Sequence, residues 1–75
     1  MHISPTDSKV LLTRIGAEIR RRRQRLALSQ IELAQTAGVH PNVVGRTERG
    51  AHNPTVLTLD AIAAALNTSL VKLLR

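Results

Sequence analysis

The densest set of functional side chains in this chain is Arg20-Arg21-Arg22-Arg23, flanked by Arg14 and Arg25. Clustered guanidinium groups bind polyanions. The whole chain leans the same way, with eleven Lys and Arg against five Asp and Glu and a formal charge of +6 over 75 residues. Such a balance favours nucleic acid or an anionic membrane surface as partner, although a charge run of this kind is also what an ordinary solvated helix face looks like. Asn and Arg side chains in general can also read base edges, Asn bonding adenine and Arg bonding guanine through paired hydrogen bonds. Other chemistry is excluded by residue type. The absence of Cys removes disulfides, thiolate zinc sites and cysteine nucleophiles. His2, His40 and His52 are too scattered to form a metal site, and no Ser/His/Asp set or phosphate loop occurs at a recognisable spacing. No enzymatic activity, cofactor, metal or small-molecule ligand is therefore expected. Phe, Tyr and Trp are also missing, and proteins that bind single strands stack bases on aromatic rings. Duplex DNA is the better partner.

The elements that must carry these residues are all helical. Ser4 can cap a first helix with Pro5 in its first turn and Asp7 as a box-like partner, and Leu12, Ile15, Ile19 and Leu26 then fall on one face, with Arg23 beside that stripe. This helix should end near Leu26. Ser29 caps a second helix from Gln30 to Ala37, with Leu33, Ala34 and Ala37 facing inward, and Gly38 stops it. Val39 can plug the angle that follows. Pro41 suits the first position of a third helix running to about Glu48. After the turn-rich Arg49-Gly50-Ala51-His52-Asn53-Pro54, Thr55 caps a fourth helix carrying Val56, Leu59, Ile62, Ala63 and Leu66. Asn67-Thr68-Ser69 reads as a helix end followed by the cap of a last short helix through Leu70, Leu73 and Leu74 rather than as a glycosylation site. The expected class is all-α, a compact five-helix bundle. The N-terminus MHISPTDSK lacks the apolar core of a signal peptide, and the run Val10 to Leu12 is too short to span a membrane, so a cytoplasmic protein without membrane contact is expected.

Two short helices joined by a Gly-containing turn form the arrangement that presents a recognition helix to the major groove. With Gln30 as the first position, Ala34 is fifth, Gly38 ninth and Val44 fifteenth. A small Ala lets the helices approach, Gly makes the turn, and Val packs the second helix on the first. From this point LSQIELAQTAGVHPNVVGRTERG resembles the Cro/CI-type (XRE) helix-turn-helix family. The resemblance covers about residues 15 to 74 and rests on Ile19, Arg23, Leu28-Ser29-Gln30, Leu33-Ala34, Ala37-Gly38-Val39, Val44, Glu48-Arg49-Gly50, Asn53-Pro54, Leu59, Leu66, Ser69 and Leu73. It implies a lambda-repressor-like DNA-binding domain over residues 15–75, with residues 1–14 as an N-terminal extension that begins the first helix. It implies that Pro41, Asn42 and Arg46 face the bases, with Pro41 limited to apolar contact, and that Gln30, His40, Arg49 and Asn53 contact the DNA backbone. It also implies a structural salt bridge between Arg23 and Glu48, whose loss would weaken binding indirectly.

Some positions depart from the family pattern. His40 stands where Ser or Thr usually caps helix 3, and His is a poor cap; beside the groove it could instead make binding sensitive to pH. Thr47 and Thr68 replace apolar core residues, and Ala27 replaces a frequent Gly. Gly45 costs about 1 kcal/mol inside a helix relative to Ala, and its missing side chain would let the backbone approach DNA. Leu70, Val71 and Leu74 exceed what one small bundle can cover and are expected in a homodimer interface. The function these readings imply is a repressor or autoregulator acting as a homodimer on a pseudo-palindromic operator. The alternative is an antitoxin that binds both its promoter and a toxin protein, for which only residues 1 to 14, with Val10 and Leu11, remain available.

Overall fold

In a computed structural model, which describes residues 4–75, the chain forms five helices: α1 (Pro5–Arg25), α2 (Gln30–Ala37), α3 (Pro41–Glu48), α4 (Val56–Ala65) and α5 (Leu70–Leu74). Four starts follow hydroxyl capping. The side chains of Ser4, Ser29, Thr55 and Ser69 accept from the backbone N–H three residues on, which satisfies a donor that has no partner within the helix. At α2 the box is complete, because the Ser29 N–H also donates to Glu32 Oε1 at 2.8 Å. That bond holds the Glu32 carboxyl below its ordinary pKa. Residues 5–14, expected as part of an extension that begins the first helix, continue into residues 15–25 as one uninterrupted helix.

Helix ends share one device. Ala27, Gly38, Gly50 and Asn67 each adopt positive φ, and the chain folds back so that the next N–H bonds a carbonyl in the last turn. Ala27 does this without the freedom of a glycine, at φ 57°, a conformation that crowds its β-carbon. The turn also decides which leucine is covered. Leu28, not the expected Leu26, is half-buried, and Leu26 is 41% exposed where α1 stops.

Ile15 and Ile19 of α1, Leu33 and Ala34 of α2, Val44 of α3, Leu59, Ile62, Ala63 and Leu66 from α4 and its cap, and Leu73 of α5 form one core. The half-buried Ala37, Val39 and Leu70 pack against it. The hydroxyls of Thr47 and Thr68 are buried and have no hydrogen-bond partner among the described residues, a local cost on the order of 1 kcal/mol or more each. Among the described residues no helix is long and apolar enough to cross a membrane.

Elements approach closely where α1 crosses the end of α3. A β-carbon on Gly16 would collide with the Thr47 carbonyl oxygen and come within 2.6 Å of that of Glu48. One turn earlier on α1, Thr13 Oγ1 lies 2.9 Å from where Gly50 would carry its own. Both contacts are made on backbone or close to it, so neither is relieved by a rotamer change. Gly16→Ala should therefore destabilise the protein by roughly 1 to 3 kcal/mol, although Ala is the better helix former. Urea denaturation would show this as a lower midpoint, and an unchanged or higher midpoint would refute the tight crossing.

Candidate nucleic-acid interface

The α2–turn–α3 unit follows from three small or branched residues. Ala34 is fully buried where the two helices meet, and Gly38 at φ 73° reverses the chain. Val39 then donates its N–H to the Ala34 carbonyl at 3.0 Å while its side chain joins the core. Val44 and Thr47 bury the inner side of α3. Pro41, Asn42 and Arg46 are all exposed on that helix, with Arg46 one turn beyond Asn42.

His40 departs from expectation. Its Nδ1 accepts the Asn42 N–H at 3.1 Å, so the imidazole caps α3 in place of a hydroxyl. A neutral ring that accepts at Nδ1 carries its proton on Nε2, which leaves a donor of the kind a phosphate requires.

Gly45 also departs from expectation. It does not leave the helix backbone open, because its missing β-carbon makes room for two side chains. The Arg49 Nη1 and the Gln30 Oε1 lie 3.3 and 3.4 Å from that position. Gln30, at the first turn of α2, and Arg49, at the end of α3, are thereby brought together although both are exposed. Asn53 is exposed in the following loop.

Glu48 lies beneath this pair. Arg23 Nε donates to Glu48 Oε2 at 2.6 Å and Arg23 Nη2 to Oε1 at 3.0 Å, a two-pronged ion pair whose side chains are 12% and 3% exposed. The remaining arm, Nη1, donates to the Leu28 carbonyl at 2.9 Å. Hydrogen bonding to Glu48 raises the Arg23 pKa above its ordinary value. Gln30 Nε2 donates to Glu48 Oε1 at 3.1 Å, a bond the sequence reading missed. The arginine run is thus divided. Arg21 and Arg22 pair with Glu18, whose carboxyl is held below its usual pKa chiefly by the Arg21 bond; Arg23 goes inward, and Arg14, Arg20, Arg25, Arg46 and Arg49 stay exposed.

A helix-turn-helix family model, HTH_3, matches residues 19–73, which include every element of this unit. The chain belongs to the HTH_3 helix-turn-helix family. This HTH_3 protein has a helix-turn-helix DNA-binding fold, and the family is one of transcription regulators rather than enzymes. It is 49% identical over 47 residues to the control protein C.SmaI of Serratia marcescens, an alignment that spans 63% of this chain and 56% of that relative. The chain thus spans just over half of that relative's length. Its fold matches that of the restriction-modification controller C.AhdI of Aeromonas hydrophila with a TM-score of 0.80 at 32% identity, over 83% of this chain and 94% of the other. The biofilm master regulator SinR, solved in complex with DNA, matches with a TM-score of 0.77 at 34% identity, over 81% and 98% of the two chains.

The expected dimer residues are not equivalent in this HTH_3 protein. Leu70 is half-buried and packs on the core of its own chain, so it offers less surface than expected. Val71 and Leu74 are 64% and 45% exposed. Val10 and Leu11 on α1 and Val56 and Leu57 at the start of α4 are also exposed. His2 lies outside the described residues.

The burial of the Arg23–Glu48 pair sets its energetic role. Arg23→Ala leaves a carboxylate covered and unmatched, which should cost about 3 to 5 kcal/mol, whereas an apolar double replacement, Arg23→Met with Glu48→Leu, should recover most of that loss. Denaturant midpoints of the two variants measure the difference, and equal losses would argue against a pair that stabilises chiefly by mutual neutralisation.

Proposed function

We propose that this protein is a cytoplasmic homodimer that recognises a pseudo-palindromic operator in duplex DNA and acts as a repressor or autoregulator, in the manner of the restriction-modification controllers it resembles. The observation that carries this reading is the exposed row Pro41, Asn42 and Arg46 on a helix whose opposite side is buried. Arg46 brings the planar fork for guanine, Asn42 the paired donor and acceptor for adenine, and Pro41 apolar contact with a thymine methyl. Gln30, His40, Arg49 and Asn53, all exposed, carry the backbone contacts. These position the domain without reading sequence.

The dimer reading is supported by Val71 and Leu74, large apolar side chains left exposed on α5. Two recognition helices related by a two-fold enter successive major grooves on one face of the duplex, with half-sites about one helical turn apart. Sedimentation at roughly micromolar concentration should give a dimer, and Val71→Glu should shift it toward monomer. A wild type that stays monomeric both with and without DNA would refute the dimer.

Selection from a random duplex library tests the reading of bases. Arg46→Ala should weaken binding by roughly 1 to 3 kcal/mol per half-site and relax the preference at one base pair, and Asn42→Ala should do the same at an adjacent A·T pair. Gln30→Ala should weaken all sequences about equally. Retention of every wild-type preference by Arg46→Ala would mean that α3 does not read bases with this face.

A further inference from the structure

Glu48 belongs to the ion pair with Arg23, yet its carboxylate also holds the side chain of Gln30, and the geometry of that contact carries information a salt bridge alone does not. We infer that Glu48 is a positioning residue for DNA-backbone binding: its carboxylate, neutralised by Arg23, turns the Gln30 carboxamide so that its second N–H is left to meet a phosphate. This rests on the reading of Gln30 as a backbone contact.

The orientation follows from hydrogen-bond chemistry. A carboxylate only accepts, so the Gln30 carboxamide must present its amino group to Glu48 Oε1, at 3.1 Å, and cannot present its carbonyl. A phosphate also only accepts. An unconstrained Gln in front of it would sample both flips, and one of the two is repulsive. With one N–H held by Glu48, the carboxamide oxygen is directed over Gly45, 3.4 Å from the place a β-carbon would occupy, and the second N–H remains to donate. A bare carboxylate next to the DNA backbone would oppose binding. Arg23 removes that penalty by contacting both oxygens, at 2.6 and 3.0 Å. The resulting order is guanidinium, carboxylate, amide, phosphate, so that each group faces one of complementary character. Gly45 also admits Arg49 Nη1 at 3.3 Å from the same position, which brings a cation beside the oriented amide.

A double-mutant cycle on Gln30 and Glu48 tests this. The contact is to the backbone, so a mixed-sequence duplex serves as probe, at a temperature where urea denaturation shows each variant folded. Glu48→Gln fills the same space, but its amide can accept or donate and so no longer dictates the flip. The expected result is a loss of about threefold to tenfold in affinity for Glu48→Gln in the wild-type background and no further loss when Gln30 is already Ala. An equal loss in both backgrounds would overturn the inference and leave Glu48 purely structural. If Gln30→Ala does not change affinity, the failure is instead that of the backbone reading. A second measurement uses wild-type protein alone and does not depend on a variant's folding. In NMR spectra the Gln30 amide proton bonded to Glu48 should be displaced from its position in a solvated glutamine before DNA is added, and the other should move when the mixed-sequence duplex binds. Two protons resembling those of a solvated glutamine would overturn the inference.

Discussion

The carboxylate of Glu48 is the point on which three helices depend. It is carried by the last residue of α3, receives two bonds from Arg23 of α1 and receives a third from Gln30 of α2. Few acceptors could serve all three. A charged carboxylate binds donors more strongly than a neutral carbonyl, and only a matched guanidinium makes its burial tolerable. The adjacent Gly16 allows α1 to press on the carbonyls that end α3, which keeps Arg23 within reach. The ion pair and the glycine thus act on the same junction. One supplies directional bonds and the other supplies proximity.

That junction matters because α2 and α3 have only eight residues each, and helices of this length are marginal in water by themselves. Their stability comes from the core beneath and from their ends. Leu33, Ala34 and Val44 are fully buried, while Ser29, Glu32, Gly38 and His40 satisfy backbone groups that the short helices leave unpaired. A surface of polar side chains can then be presented rigidly without contributing to the fold. Exposure of Asn42 and Arg46 is a consequence of burying Val44 and Thr47, because the two sets share one helix and point in opposite directions.

Several residues make the fold less stable than its architecture allows. Ala27 holds a left-handed conformation that suits glycine, and the hydroxyls of Thr47 and Thr68 are covered without partners among the described residues. A domain of 75 residues has little stability in reserve. Association through Val71 and Leu74 would add apolar burial to a small core and would link stability to protein concentration, as is usual for small dimers.

The sequence by itself determined the five helices and most of their boundaries, because caps, turn residues and apolar spacing act over three or four positions. Ser29 with Glu32, Gly38 before Val39, and Asn67 before Ser69 are local signals of that kind, and so is the absence of aromatic and cysteine chemistry. The arginine run could also be divided in part, since Glu18 lies three and four residues from Arg21 and Arg22 and needs only helical geometry to meet them. Tertiary structure alone decided the rest. Gln30 meets Glu48 across 18 positions, His40 turned out to cap α3 through a ring nitrogen, and the space at Gly45 is taken by Gln30 and Arg49. Gly16 carried a faint signal, a costly residue inside a long helix, but only the crossing of α1 over α3 explains it. Such contacts depend on how two helices approach, and that distance is set by the whole core rather than by any neighbouring residue.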